Sequence, residues 1–174
     1  MTVRNPFSRL VSAYCNKLHK DAIGRDGIFK ILSKRMSEKY RHMRKNVTER
    51  QETYGGSATF EDFVNCLVKG SKEETSDAHW RTYANQCHPC VHRYDYIFKF
   101  ESMAEDVLYL EEKLNFTAED RKAFFPLRQY KSQPDLVKEE FAKVPRETAL
   151  KLYELYREDF ENFGYERPKW LWKR

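Results

Sequence analysis

The 174-residue chain carries 32 Lys and Arg against 27 Asp and Glu, a formal net charge of +5, with 40% hydrophobic and 15% aromatic residues. That length and apolar content suit a single domain over residues 1–174 rather than two, and the aromatic richness without a low-complexity tract excludes wholesale disorder. No apolar run of ~18 residues exists and residues 1–25 lack the apolar centre of a secretory signal, so no stretch reads as membrane-spanning or targeting; the mild basicity suits an anionic ligand without naming it.

A short β-like stub opens the chain, with Asn5 placed to cap a helix and Pro6 at its first position. The helix should run to about His19, because Phe7, Leu10, Val11, Tyr14 and Leu18 recur at helical spacing and mark one buried face. Asp26-Gly27 predicts a turn. Between Arg25 and Arg50, nine Lys or Arg residues face three acidic ones, with Phe29, Ile31, Leu32, Met36 and Tyr40 interspersed; this predicts a basic, partly amphipathic helix.

Gly55-Gly56-Ser57 marks a loop over 51–58, after which Thr59 and Asp62 form a capping-box-like start. Phe60, Phe63, Val64 and Leu67 give that helix an apolar face, and Gly70 should end it. Residues 71–79 are polar and predict an irregular connection to His79-Trp80. The aromatic, β-branched run Tyr94 to Phe100 favours a strand, and Ser102 with Glu105 should cap the following helix, with Val107, Leu110 and Leu114 turned inward. A strand feeding a capped helix is an α/β unit. Gln129 to Pro134 predicts a loop. Pro145 should start the last helix, in which Ala149, Leu152, Tyr153, Tyr156, Phe160 and Phe163 keep helical spacing before Gly164 stops it.

The cysteines Cys15, Cys66, Cys87 and Cys90 are too few for a disulfide scaffold and read as two singles and one C-x-x-C. Cys87, Cys90, His79 and His92 include zinc-ligand types, but no second pair matches them, and a local disulfide or a pair of structural thiols is the competing reading. Two glycosylation tripeptides, at Asn46 and Asn115, are usable only in the secretory pathway. His79 has the residue type of a proton acceptor, although a histidine beside Trp80 also suits packing.

The string Val3-Arg4-Asn5-Pro6-Phe7-Ser8-Arg9-Leu10-Val11-Ser12-Ala13-Tyr14 resembles the 3′-phosphate-binding motif of Golgi carbohydrate sulfotransferases, within the group that sulfates chondroitin, dermatan and N-acetylgalactosamine at the 4-position. Three further blocks are similar to that group in the same order: His79-Trp80 with Cys87-His88-Pro89-Cys90; Tyr94-Asp95 leading to Lys99-Phe100-Glu101; and Tyr153 to Tyr165 with Asp159-Phe160 and Phe163-Gly164-Tyr165. Thr82 and Cys15 depart from the pattern, standing where a proline and a basic residue are common.

The resemblance implies a helix-rich α/β fold, a partial P-loop-like sulfotransferase domain lacking the N-terminal strand and 5′-phosphosulfate loop, and therefore weak or absent activity for the chain as it stands. It implies 3′-phosphoadenylyl sulfate as co-substrate without a metal, and transfer of a sulfuryl group to a sugar hydroxyl of a chondroitin, dermatan or N-acetylgalactosamine-containing glycan. It places Arg4 and Ser12 on the 3′-phosphate, with Ser8 and Arg9 on the same helix flank and unpaired N–H groups of the helix start adding to the site. It further implies the Golgi lumen, reached through a membrane anchor outside this chain; a lumenal setting favours a Cys87–Cys90 disulfide. Nucleic acid is not an expected partner, since no nucleic-acid-binding motif occurs. A non-catalytic module that binds anionic glycan or a protein through the basic stretch Lys30 to Lys45 is the alternative.

Overall fold

Strand β1 (Thr2–Val3) leads through Asn5 into helix α1 (Pro6–Ala13), and the computed structural model describes residues 1–22, 27–46, 56–117, 119–120 and 134–172. Asn5 Oδ1 accepts from the Phe7 and Ser8 N–H groups at 3.1 and 3.2 Å, while Pro6 has no N–H to satisfy, so the helix start is closed from within. Beyond Ala13 the helix continues as one wide π-type turn (Tyr14–Leu18), ended where the His19 N–H reaches the Tyr14 carbonyl at 2.9 Å. The predicted helix to about His19 is thus present, with its last turn loosened. Phe7, Leu10, Val11, Tyr14 and Leu18 are all buried, as their spacing requires.

Helix α2 (Gly27–Tyr40) and a 3₁₀ turn (Arg41–Met43) form the basic segment. Phe29, Met36 and Tyr40 are buried, Leu32 is partly buried, and Ile31 faces solvent with Lys30, Lys34 and Arg35. Asp26 of the expected turn and most of the 51–58 loop lie outside the described residues. Helix α3 (Phe60–Lys69) carries the predicted capping box: Thr59 Oγ1 accepts from the Asp62 N–H, and Asp62 Oδ2 from the Thr59 N–H.

The polar stretch after Gly70 is more ordered than its composition implied. It forms α4 (Lys72–Thr75), capped reciprocally by Ser71 and Glu74, and Glu74 is also tied to Lys39 at 2.8 Å. Helix α5 (Tyr83–Cys87) follows. The Tyr94 to Phe100 run shrinks to β2 (Phe98–Lys99), which pairs parallel with β1 in the register Thr2 to Phe98 and Val3 to Lys99. Met1 continues the contact, its N-terminal amine donating to the Tyr96 carbonyl at 2.8 Å and its carbonyl accepting from the Phe98 N–H at 2.9 Å.

Helix α6 (Met103–Leu114) buries Val107 and Leu110 but exposes Leu114, contrary to expectation, because the helix ends there in the left-handed Asn115. Ser102 makes no capping bond either; its hydroxyl donates to Asp106 at 3.0 Å. Residues 129–133 of the next expected loop lie outside the described residues, and Pro134 opens α7 (Pro134–Ala142). Pro145 caps α8 (Arg146–Asn162), which Gly164 terminates at a φ of 60° that disfavours a side chain. A short α9 (Lys169–Trp172) follows what was expected to be the last helix and buries Leu171.

The result is a helix-rich α/β arrangement with a small parallel sheet at one end. Its main core is aromatic: Phe7 stacks on Phe141 at 4.3 Å and meets Phe160 edge-on at 5.3 Å, while Phe63 meets fully buried Trp80 at 5.3 Å. Full burial of each such ring contributes about 1.5–3 kcal/mol of transfer free energy. A satellite cluster of Val3, Tyr83 and Phe163 sits under the sheet and supports the β1–α1 junction.

Candidate functional site

Four stretches far apart in sequence meet at that junction. The Arg4 N–H donates to the Tyr83 hydroxyl at 3.0 Å, and its guanidinium lies over the Phe100 ring, 4.4 Å from the centroid. The Asn5 N–H donates to Glu101 Oε1 at 2.9 Å, and the Tyr165 hydroxyl donates to Glu101 Oε2 at 2.9 Å. Lys99 Nζ donates to the Gly164 carbonyl at 3.2 Å beside the Tyr165 ring. Parallel pairing of β1 with β2 sets Lys99 beside Val3 and so delivers Phe100 and Glu101 to Arg4 and Asn5.

Arg4 is half-buried and uses one donor on the protein, Nε to Ser8 Oγ at 3.0 Å; its terminal nitrogens have no partner among the described residues. Burial lowers its pKa, against the raising influence of Glu101 and then of Tyr83 and Tyr165. The group stays cationic at neutral pH, since an arginine starts so far above it. Ser12 lies one turn beyond Ser8, half-buried, and its hydroxyl has no partner among the described residues. Arg4, Ser8 and Ser12 therefore form one strip along α1, with the outer two groups offering unused donors.

Two sets of donors expected at the site are engaged within the protein. The amides at the start of α1 are not open to a ligand: Asn5 Oδ1 takes those of Phe7 and Ser8, and the Asn5 carbonyl takes that of Arg9 at 2.8 Å. Arg9 is also turned away. Its guanidinium lies over the Tyr83 ring at 4.3 Å and donates to the Arg81 and Ala78 carbonyls at 2.7 and 2.8 Å and to Gln86 Oε1 at 3.3 Å. It clamps the 78–86 segment against α1, because backbone carbonyls in that turn fall within reach of its planar fork.

Asp159 braces the same segment from α8. Its Oδ2 accepts from the Tyr83 N–H at 2.8 Å and its Oδ1 from the Ala84 N–H at 3.0 Å. Burial raises its pKa, while those two hydrogen bonds and the Arg9 charge oppose the rise. The roles of Tyr83 and Asp159 were not assigned from sequence; a partner 76 positions away leaves no periodic signal.

His79 sits on the segment Arg9 clamps. Asp77 Oδ1 accepts from the His79 N–H at 2.8 Å and lies 2.7 Å from its Nδ1, while the ring meets Phe29 edge-on at 5.3 Å. A carboxylate only accepts, so this contact favours a ring that carries its proton on Nδ1. Trp80 beside it is a core residue, its indole N–H donating to the Glu74 carbonyl at 3.3 Å.

Cys87 ends α5 half-buried and Cys90 is exposed, both as free thiols, separated by the left-handed His88. Among the described residues, no three His, Cys, Asp or Glu side chains converge as a metal site. Asn46 and Asn115 are both exposed, although Val47 and Thr48 of the first tripeptide lie outside the described residues. Arg44, counted in the basic stretch, is fully buried against Asp62 and so takes no part in a basic surface. No helix among the described residues is long and apolar enough to cross a membrane.

The arrangement coincides with a match of residues 1–166 to the model of the sulfotransferase family. This chain belongs to that family. It is 33% identical to carbohydrate sulfotransferase 11 of Rattus norvegicus over 174 residues, covering 97% of this chain and 47% of the relative. Against carbohydrate sulfotransferase 14 of Danio rerio the identity is 32%, over 97% of this chain and 44% of the relative. Against carbohydrate sulfotransferase 12 of Mus musculus it is 31%, over 96% and 40%. The chain thus spans about half the length of the curated relatives it matches. No solved structure matches it.

Proposed function

We propose that this chain carries the 3′-phosphate grip of a sulfotransferase that uses 3′-phosphoadenylyl sulfate and sulfates a sugar hydroxyl of a glycan in the Golgi lumen. The single observation that carries the reading is the strip of Arg4 and Ser12, whose free donors project from one flank of α1 beside the aromatic wall of Phe100. A phosphomonoester presents three acceptor oxygens and close to two negative charges. The Arg4 fork neutralises and orients it, and Ser12 takes a further oxygen.

Ser8 acts one step back by holding Arg4 Nε, and Glu101 anchors the Asn5 backbone on the other side. With the amides of α1 already used, this grip is built from side chains rather than from a helix end. That distinguishes it from a phosphate loop, in which backbone N–H groups cradle the ligand. Within the P-loop-like architecture of the family, β1 and α1 supply the strand and helix that present this end of the donor.

In the full reaction the acceptor oxygen forms a bond to sulfur, the bond from sulfur to the 5′-phosphate oxygen breaks, and the acceptor proton passes to a base. Names of relatives as carbohydrate sulfotransferases support a glycan acceptor, and a chondroitin or dermatan chain with N-acetylgalactosamine is the acceptor to try first. The decisive experiment is calorimetry with adenosine 3′,5′-bisphosphate on the chain and on Arg4→Ala. A charge-assisted phosphate contact is worth about 1.5–3 kcal/mol, so the substitution should weaken binding about ten-fold or more. Unchanged affinity removes Arg4 from the site and the reading with it.

A further inference from the structure

Beside the 76–82 segment lies a cleft of about 660 Å³ whose lining includes Lys72, Thr75, Trp80, Arg81, Thr82 and Asn85. The volume is within the ~300–1,000 Å³ of small-ligand sites. Two cations and no carboxylate line it, and Lys72 has no ion-pair partner among the described residues. Arg81 uses Nε and Nη2 on the Ser76 carbonyl, leaving Nη1 unbonded among the described residues.

The remaining lining has the chemistry of a sugar site. The Thr75 and Ser76 hydroxyls donate to the Ser71 and Lys72 carbonyls and so face a ligand only as acceptors. Thr82, whose oxygen accepts from the Asn85 N–H, keeps its proton, and the Asn85 side-chain amide can both donate and accept, as sugar hydroxyls do. Leu67 and half-exposed Leu155 provide apolar wall for the C–H face of a pyranose. The floor is rigid: Trp80 is fully buried, and the Tyr156 hydroxyl donates to its carbonyl. The same segment carries His79 and is fastened to α1 through Arg9 and to α8 through Asp159.

We propose that this cleft is a subsite for an anionic sugar of a glycan, with Lys72 and Arg81 receiving its carboxylate or sulfate ester. The proposal rests on the glycan acceptor suggested above, and it assigns that acceptor a place. The experiment titrates the chain by calorimetry with an unsulfated chondroitin hexasaccharide, its carboxyl-reduced neutral form and a 6-sulfated, carboxyl-reduced hexasaccharide, using Lys72→Gln and Asn85→Trp as variants. Loss of the Lys72 charge should weaken chondroitin binding about ten-fold, and the indole placed at exposed Asn85 should fill the cleft and abolish it.

Carboxyl reduction that abolishes binding identifies the carboxylate as the recognised group; binding restored by 6-sulfation of the reduced form identifies the ester. Equal binding by the unsulfated neutral form, undiminished binding by both variants, or no binding of any hexasaccharide overturns the proposal. Adenosine 3′,5′-bisphosphate is titrated in parallel and should bind both variants as it binds the parent chain. Loss of the nucleotide response alone would sink the donor reading and leave the subsite standing, and the converse holds.

Discussion

Two arginines of this chain make nearly opposite use of the same side chain. Arg44 is fully buried and bonded to Asp62 through Nε at 3.0 Å and Nη2 at 2.6 Å, with Ser37 Oγ accepting a further bond at 3.0 Å. Arg4 is half-buried, bonded through Nε alone and turned toward an aromatic ring. One joins α2 to the cap of α3 and belongs to the scaffold, since Asp62 also receives the Thr59 N–H. The other keeps donors in reserve. A charge saturated by the protein reports architecture, whereas a partly desolvated charge with donors left over is a candidate for binding a ligand.

The largest expected effect follows from breaking the scaffold partner. Arg44→Met leaves the Asp62 carboxylate buried without its cation, which should cost about 3–5 kcal/mol in a denaturant melt, while Arg4→Ala should change stability far less. Similar losses for the two variants would erase the distinction between them.

Ser12 sharpens the ligand side of the comparison with a smaller effect. A neutral hydroxyl contact is worth about 0.5–1.5 kcal/mol, so Ser12→Ala should weaken adenosine 3′,5′-bisphosphate roughly two- to ten-fold without altering the melt. An alanine variant with full nucleotide affinity would place the phosphate elsewhere along α1.

The smallest effect concerns the thiols, which divide along the same line of buried scaffold and accessible surface. Burial, reinforced by Glu74, pushes the Cys66 thiol up to about 12, so at pH 8 almost none of it is the reactive thiolate. In reduced, folded protein, iodoacetamide at pH 8 should label exposed Cys90 and spare Cys66 until denaturant is added. For protein made in an oxidising compartment we propose that Cys87 and Cys90 pair, so both should resist labelling until reduced; ready labelling of both before reduction would rule the pair out. Loop entropy from so short a ring is small, and the effect on stability should be correspondingly slight.

Much of the local structure was legible because its causes are local. Asn5 with Pro6, Thr59 with Asp62, and Gly164 each act within a few residues of the backbone they shape, and the apolar spacing in α1 and α8 follows from the helical repeat alone. The motif around Arg4 and Ser12 was equally visible, because residue identity and spacing on one helix determine which side chains share a flank. The Tyr94 to Phe100 run overstated the strand because β-propensity depends on tertiary context, and only Phe98 and Lys99 take strand geometry.

Tertiary structure decided which of the visible charges are free. Arg4, Arg9 and Arg44 are alike in sequence, yet one is left with open donors, one clamps backbone carbonyls at positions 78 and 81, and one is sealed against Asp62. Those partners lie between 4 and 72 positions away. A guanidinium takes whatever acceptors packing brings within about 3 Å, and packing is a property of the assembled core rather than of any one segment.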